Sequence, residues 1–298
     1  MKIIDSNMAD KNMQMQSVKL LSDRSLGAIL VDAGKLSIKN VEQILKSQKV
    51  ENIRFGDAGI KLGLLTQTDI QYALANQFDY PYLLAGDGTV SETLVAAYDP
   101  YCQQVETLRT LRSQLMLRRF ADYSSSKTLA IVSPGKGEGR SFLAANLAIV
   151  FSQLGERTLL IDADLRNPSQ HELFKLENSQ GLSTVLAGRS GLQAIQRIKN
   201  FVDLSVLTAG ATPPNPQELL GRPAFTELLN SLNESFDVIL IDTPPAIDFA
   251  DAQMISTRAG AAMMVVRKSF SSIELIRQQV ESLTHSGTEV VGSVLSEF

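Results

Sequence analysis

The chain has 298 residues, of which 44% are hydrophobic and 20% charged, with a formal net charge of −4. That length allows about two domains with a real core, and the acidic balance argues against non-specific nucleic-acid or anionic-membrane binding, which favours a basic surface. A single cysteine, Cys102, excludes an intrachain disulfide, and two distant histidines, His171 and His285, make a zinc site unexpected.

The first residues, MKIIDSNMADKNMQMQ, lack the apolar core of a signal peptide, and no run approaches 18 apolar residues. A cytoplasmic protein is expected, with residues 1–20 a flexible polar arm. An internal repeat follows at an offset of 29: Leu26-Gly27 recurs as Phe55-Gly56, Gly34 as Gly63, Leu36 as Leu65, Ser37 as Thr66, Val41 as Ile70 and Leu45 as Leu74. Each unit reads as a short helix, a glycine turn, a Ser or Thr N-cap and a second helix. Two such units can bury their apolar faces together, so residues 21–82 are expected to form a small helical tandem-repeat domain.

The glycines of LLAGDGTVSET mark 83–96 as a linker, after which 97–298 reads as a second domain. A helix is expected over 102–119, apolar at Val105, Leu108, Leu111, Leu115 and Met116 and charged at Glu106, Arg109, Arg112, Arg118 and Arg119. Strand-like runs come next at 128–133, 157–162, 204–208, 237–242, 262–267 and 291–296, with helical stretches such as 141–154, 222–233 and 271–285 between them. Apolar strands separated by helices predict an α/β fold, a mainly parallel sheet covered on both faces.

Three segments carry chemistry. SPGKGEGRS, 133–141, joins a strand to a helix, and its glycines Gly135, Gly137 and Gly139 permit a loop of inward amides that the helix N-terminus reinforces. Ser141 is placed to offer a hydroxyl to Mg²⁺. Against G-x-x-x-x-G-K-[ST], the Walker pattern, Pro134 replaces the first glycine and Arg140 the lysine. In LLIDADLR a strand ends in Asp162, with Asp164 two residues on, and in VILIDTPP another ends in Asp242. Carboxylates at strand C-termini of a parallel sheet stand where ligands bind and can hold a metal or accept a proton.

In this order the motifs resemble the bacterial tyrosine kinases, or BY-kinases, within the MinD/ParA-like deviant P-loop ATPases. Asp162, Asp164 and Arg166 match the D-x-D-x-R motif of that family, and Glu106, Arg109 and Arg112 match E-x-x-R-x-x-R on a ring-building helix. The most similar type is the exopolysaccharide chain-length determinant kinase of the EpsG type. The resemblance implies a P-loop NTPase three-layer sandwich that binds ATP and Mg²⁺. Gly135, Lys136, Gly137, Glu138, Gly139, Arg140, Ser141 and Phe142 would bind the nucleotide. Ser141, Asp162 and Asp242 would serve the metal, while Asp162, Asp164 and Arg140 would serve catalysis. It further implies self-association as a ring or dimer through Glu106, Arg109 and Arg112, and a membrane-embedded polysaccharide chain-length regulator as partner. That partner would place the protein at the inner membrane.

Two features keep a non-kinase ATPase switch of the MinD/ParA kind open as an alternative. Arg140 replaces lysine, and all six tyrosines, Tyr72, Tyr80, Tyr82, Tyr98, Tyr101 and Tyr123, precede the phosphate loop rather than clustering after it. The N-terminal repeat resembles the tandem motifs of type II secretion ATPase N-terminal domains of the MshEN type, which makes cyclic di-GMP a candidate ligand. In the first motif Arg24 stands one place early and Ser25 fills the expected position. The second motif keeps Arg54-Phe55-Gly56 but has Gly59 where an apolar residue is usual. A ligand-free helical docking domain is the alternative.

Overall fold

Hydroxyl side chains set where the helices of the N-terminal repeat begin. Ser25 caps α1 (Leu26–Asp32), Ser37 caps α2 (Ile38–Glu51), and Thr66 caps α4 (Gln67–Gln77) in a reciprocal box with Asp69. At α3 (Phe55–Lys61) the cap position is Arg54, which is exposed and makes no side-chain cap. Ser25 and Arg54 are equivalent positions, so the two repeats start their first helices differently. The computed structural model describes residues 25–78, 80–84, 86–120 and 127–297; the expected arm at 1–20 and Arg24 lie outside the described residues.

The chain divides into two units, Met1–Tyr82 and Leu83–Phe298. In the first, α1 packs on α4 and α2 on α3, so the first helix of each repeat lies on the second helix of the other. Leu30, Leu36, Ile44, Ala58, Leu65 and Ala73 form its core. Gly59 stands where Leu30 stands in the first repeat. A Cβ on it would lie 2.5 Å from Leu65 Cδ1, so the leucine fills the space that the second motif leaves empty.

The second unit holds a seven-stranded sheet in the order β3-β4-β2-β5-β1-β6-β7. Its strands are β1 (Thr128–Val132), β2 (Thr158–Asp162), β3 (Gln196–Arg197), β4 (Leu204–Leu207), β5 (Val238–Asp242), β6 (Ala261–Arg267) and β7 (Glu289–Ser296). All neighbours run parallel except the two-residue β3, which pairs antiparallel with β4. The α/β sandwich expected from the run of apolar strands is the observed fold. β3 was not expected, because two residues carry no period.

Successive side chains of a strand point to opposite faces, and the two cores follow that alternation. Leu129 and Ile131 of β1 join Leu160, Leu240 and Met263 under α5 (Val95–Tyr98), α6 (Gln103–Arg118) and α7 (Arg140–Ser152). Ala130 and Val132 join Leu159, Ile161, Ile241 and Met264 on the other face. That face is covered by α9 (Leu182–Leu186), α10 (Pro216–Gly221), α11 (Pro223–Leu232), α12 (Asp251–Ala259) and α13 (Ile273–His285). The helix α7 is buried all round, and each of Leu147, Ile149 and Phe151 contributes roughly 1.5–3 kcal/mol by leaving water.

The stretch 83–96 is not a linker. Leu83, Val90 and Leu94 are buried in the core beneath α7. The Ala96 amide donates to Asn146 Oδ1 at 2.9 Å, and Gln153 Nε2 donates to the Ala96 carbonyl at 3.0 Å. Gly86 and Gly88, at φ 85° and 74°, make turns in a docked segment; read from the sequence, the same glycines suggested a loose one.

Candidate nucleotide site

The strand order brings three distant motifs to one rim. β5 lies between β2 and β1, and Asp242 at its end is in register with Asp162 of β2 and Ile131 of β1. From β1 the chain enters the loop 133–139, in which Gly137 and Gly139 take φ of 71° and 91°. A side chain is strained at either position. Gly139 is the N-cap of α7, whose 13 residues present their amino end to the loop. The amides of Ala246 and Ile247 donate to the Ser133 and Pro134 carbonyls at 3.1 and 2.9 Å, so the chain after β5 runs beside the loop.

The carboxylates differ in what holds them. Asp162 is fully buried; its Oδ2 accepts from the Ser169 and Gln170 amides at 3.0 Å each, and its Oδ1 from the Asp164 amide at 3.2 Å. Burial pushes its carboxyl well above the usual range and the neighbouring Asp242 adds to this, against those amide bonds. Asp242 is also fully buried and raised by burial, opposed by the Arg140 guanidinium and by hydrogen bonds from Gln170 and Ser141. Its Oδ2 accepts from Gln170 Nε2 at 2.7 Å, whereas its Oδ1 has no hydrogen-bond partner among the described residues. Asp164, raised by burial, uses Oδ1 to receive the Asn167 and Arg166 amides at 2.8 and 3.2 Å.

Arg140 is only 8% exposed. Its Nε donates to the Thr243 carbonyl at 2.8 Å, and its Nη1 to the Gly135 carbonyl at 2.7 Å and to the Ser133 hydroxyl. The arginine therefore ties the loop to the end of β5, and Nη2 makes no hydrogen bond among the described residues. Glu138 turns its carboxylate back onto the loop, taking the Gly135 amide at 2.8 Å and the Ser271 hydroxyl. One amide expected for phosphate is thus occupied by the loop's own acid. Lys136 extends outward to Asp248 Oδ2 at 3.4 Å, and Phe142 is half-buried on α7. Arg267 Nη1 donates to the Gly137 carbonyl at 3.1 Å.

Sequence reasoning missed two residues here. Gln170, at the start of α8 (Gln170–Leu173), is fully buried against Asp162, Asp242 and the Ser141 carbonyl. Asp251, at the start of α12, is 1% exposed and pairs with Arg166 Nε at 2.8 Å, while that guanidinium lies 3.7 Å from the Phe249 ring centroid. Neither carried a local signal, since a Gln or Asp opening a helix is ordinary.

No group of three or more His, Cys, Asp or Glu side chains with metal-ligand grouping occurs among the described residues. The donor set still fits magnesium. Asp242 Oδ1 is a buried acceptor without a hydrogen-bond partner among the described residues, and the Ser141 hydroxyl is beside Asp242. Mg²⁺ is commonly held by one or two protein oxygens with waters and substrate phosphates supplying the rest.

A family model described as AAA domain matches residues 126–287. The chain is 35% identical over 208 residues to Tyrosine-protein kinase YwqD of Bacillus subtilis, covering 70% of this chain and 86% of that one. The chain belongs to the bacterial tyrosine-protein kinase family. Tyrosine-protein kinase wzc of Salmonella typhimurium is 33% identical over 205 residues, where the match covers 69% of this chain but 28% of the longer relative. Among solved structures, the chimerical protein CapA2B2 superimposes with a TM-score of 0.64 at 34% identity, covering 75% of this chain and 97% of that one. The matched region of this kinase-family chain contains the P-loop, both acidic strand ends and Gln170.

The helix α6 carries the remaining expected site of the family. Arg109 Nη1 bonds Glu106 Oε2 at 2.9 Å within the helix. Arg112 Nη1 reaches the Val150 carbonyl at 3.0 Å on α7 of the same chain. The structure places Arg112 in an intramolecular contact, which a helix-face reading of the sequence did not anticipate.

Proposed function

We propose that the Leu83–Phe298 unit is an ATP-dependent protein-tyrosine kinase module of an exopolysaccharide system of the EpsG type. A membrane-embedded chain-length regulator would be its activating partner. The observation that carries this reading is the meeting of a phosphate loop with Asp162, Asp164 and Asp242 at one sheet rim, in a chain of the tyrosine-kinase family. Loop amides and the α7 N-terminus would hold the phosphates, and Arg140 Nη2 is the donor left for a phosphate oxygen. Ser141 and Asp242 would hold Mg²⁺, which when bound neutralises charge on the phosphate oxygens.

Asp162 has both oxygens engaged by amides, so its part is to hold the 164–170 turn. Asp164 Oδ2 makes no hydrogen bond among the described residues and is the oxygen left to orient the tyrosine hydroxyl. The hydroxyl oxygen would bond to the γ-phosphorus as the β–γ bridging bond breaks. ADP leaves, and the hydroxyl proton passes to Asp164.

Incubation with γ-labelled ATP, Mg²⁺ and the regulator's cytoplasmic segment, followed by phosphoamino-acid analysis, is expected to yield phosphotyrosine. Asp164→Asn should lower the rate by about 10²-fold or more. Label released only as inorganic phosphate, with no phosphotyrosine on any protein, would sink the kinase reading in favour of an ATPase switch.

Self-association through α6 belongs to the same proposal. Arg109→Ala is expected to lower the light-scattering mass of the assembled protein. Arg112→Ala, which removes the contact to Val150, is expected to lower the melting temperature as well. An Arg109→Ala protein with the mass of the assembled parent would remove α6 from the interface.

A further inference from the structure

One residue bridges the two acidic strand ends and the phosphate loop. The backbone amide of Gln170 donates to Asp162 Oδ2 at 3.0 Å. Its side-chain Nε2 donates to Asp242 Oδ2 at 2.7 Å and to the Ser141 carbonyl at 3.1 Å. Both side-chain contacts are acceptors only, so the amide orientation is set by them: nitrogen toward Asp242 and Ser141, oxygen away. The side chain is fully buried, and Oε1 has no hydrogen-bond partner among the described residues.

Asp162 and Asp242 are in register on adjacent strands and both are buried. Two such carboxylates repel, and each is free to turn about its Cβ unless something holds it. Asp162 is held by amides on both oxygens. Asp242 receives Gln170 Nε2 on Oδ2, and the other oxygen, Oδ1, is the buried one left open among the described residues. The donor fixed on Oδ2, opposite the open oxygen, is Gln170 Nε2. The same Nε2 holds the carbonyl of Ser141, the residue whose hydroxyl is beside Asp242.

We propose that Gln170 is a positioning residue of the kinase site, which clamps Asp242 and Ser141 into one arrangement and reserves Asp242 Oδ1 for a hydrated divalent cation. This rests on the reading of Ser141 and Asp242 as the magnesium-holding pair. Gln170 touches neither nucleotide nor tyrosine in this scheme; it acts through the two residues it holds. Groups that orient the ligands of a metal commonly govern its affinity by one to two orders of magnitude.

The test is calorimetric affinity for ADP in MgCl₂ and in EDTA, with melting of the nucleotide-free protein, for the wild type, Gln170→Met and Gln170→Asn. Methionine keeps the length of the side chain and removes the donor; asparagine keeps the amide but withdraws it by one methylene. In both variants the gain in ADP affinity on adding Mg²⁺ is expected to fall about tenfold, with the affinity in EDTA unchanged. A variant that melts lower but keeps the wild-type magnesium gain overturns the inference, since packing alone would then account for the residue. If Gln170→Met does not fold, Gln170→Asn carries the same comparison. A wild type with equal ADP affinity in both buffers overturns the magnesium reading itself, and this inference with it.

Discussion

Arg140→Ala is expected to destabilise the nucleotide-free protein by about 3 kcal/mol and to weaken nucleotide binding by on the order of 1–3 kcal/mol. The first effect comes from what the guanidinium holds. It joins the Thr243 carbonyl, the Gly135 carbonyl and the Ser133 hydroxyl, and alanine would remove this donor from all three, leaving the Gly135 carbonyl only the Ser133 hydroxyl. It also stands as the opposing charge to Asp242 and Asp164, so its loss leaves buried negative charge uncompensated. The second effect is the loss of Nη2 toward a phosphate oxygen. Arg140→Lys separates the two, because an ammonium keeps the charge but not the fork that spans both strand ends. It should recover much of the binding and little of the stability. Urea denaturation and nucleotide titration on the three proteins measure both. A wild-type denaturation midpoint for Arg140→Ala would show that the fork carries no stability.

Asp242→Asn is expected to raise the stability of the nucleotide-free protein by about 1 kcal/mol while abolishing at least tenfold of the magnesium-dependent gain in nucleotide affinity. The wild-type carboxylate is fully buried beside Asp162 in the register of β2 and β5. Burial disfavours its ionised form and outweighs the opposing Arg140 guanidinium, and a neutral amide escapes that cost. An asparagine can still accept from Gln170 Nε2, so the local bonding is retained. It cannot offer a negative oxygen to a cation. Opposite signs for stability and binding mark a residue kept for a ligand rather than for the fold. A variant that is both less stable and undiminished in its magnesium dependence would contradict the assignment.

Much of this site was legible along the chain because its parts are local. Glycine at 137 and 139 reports a loop that needs positive φ, and both positions show it. An apolar run ending in aspartate reports a buried strand with its acid at the rim, as in LLID and VILID. The docked segment 83–96 was misread because its glycines are local, whereas the bonds of Ala96 to Asn146 and Gln153 join residues 50 and 57 positions apart. Gln170 and Asp251 were invisible for the same reason: their partners Asp242 and Arg166 lie 72 and 85 positions away.

The sequence by itself determined the fold class, the phosphate loop, the acidic strand ends and the helical repeat, since each depends on periodicity or on backbone permissions that neighbouring residues impose. The tertiary structure alone decided that β5 lies between β2 and β1. That order sets Asp242 beside Asp162, turns Arg140 toward Thr243, and leaves one oxygen of Asp242 open. Strand order and buried side-chain contacts are settled by long-range packing and by the need to satisfy every buried polar group, and neither leaves a trace in local composition.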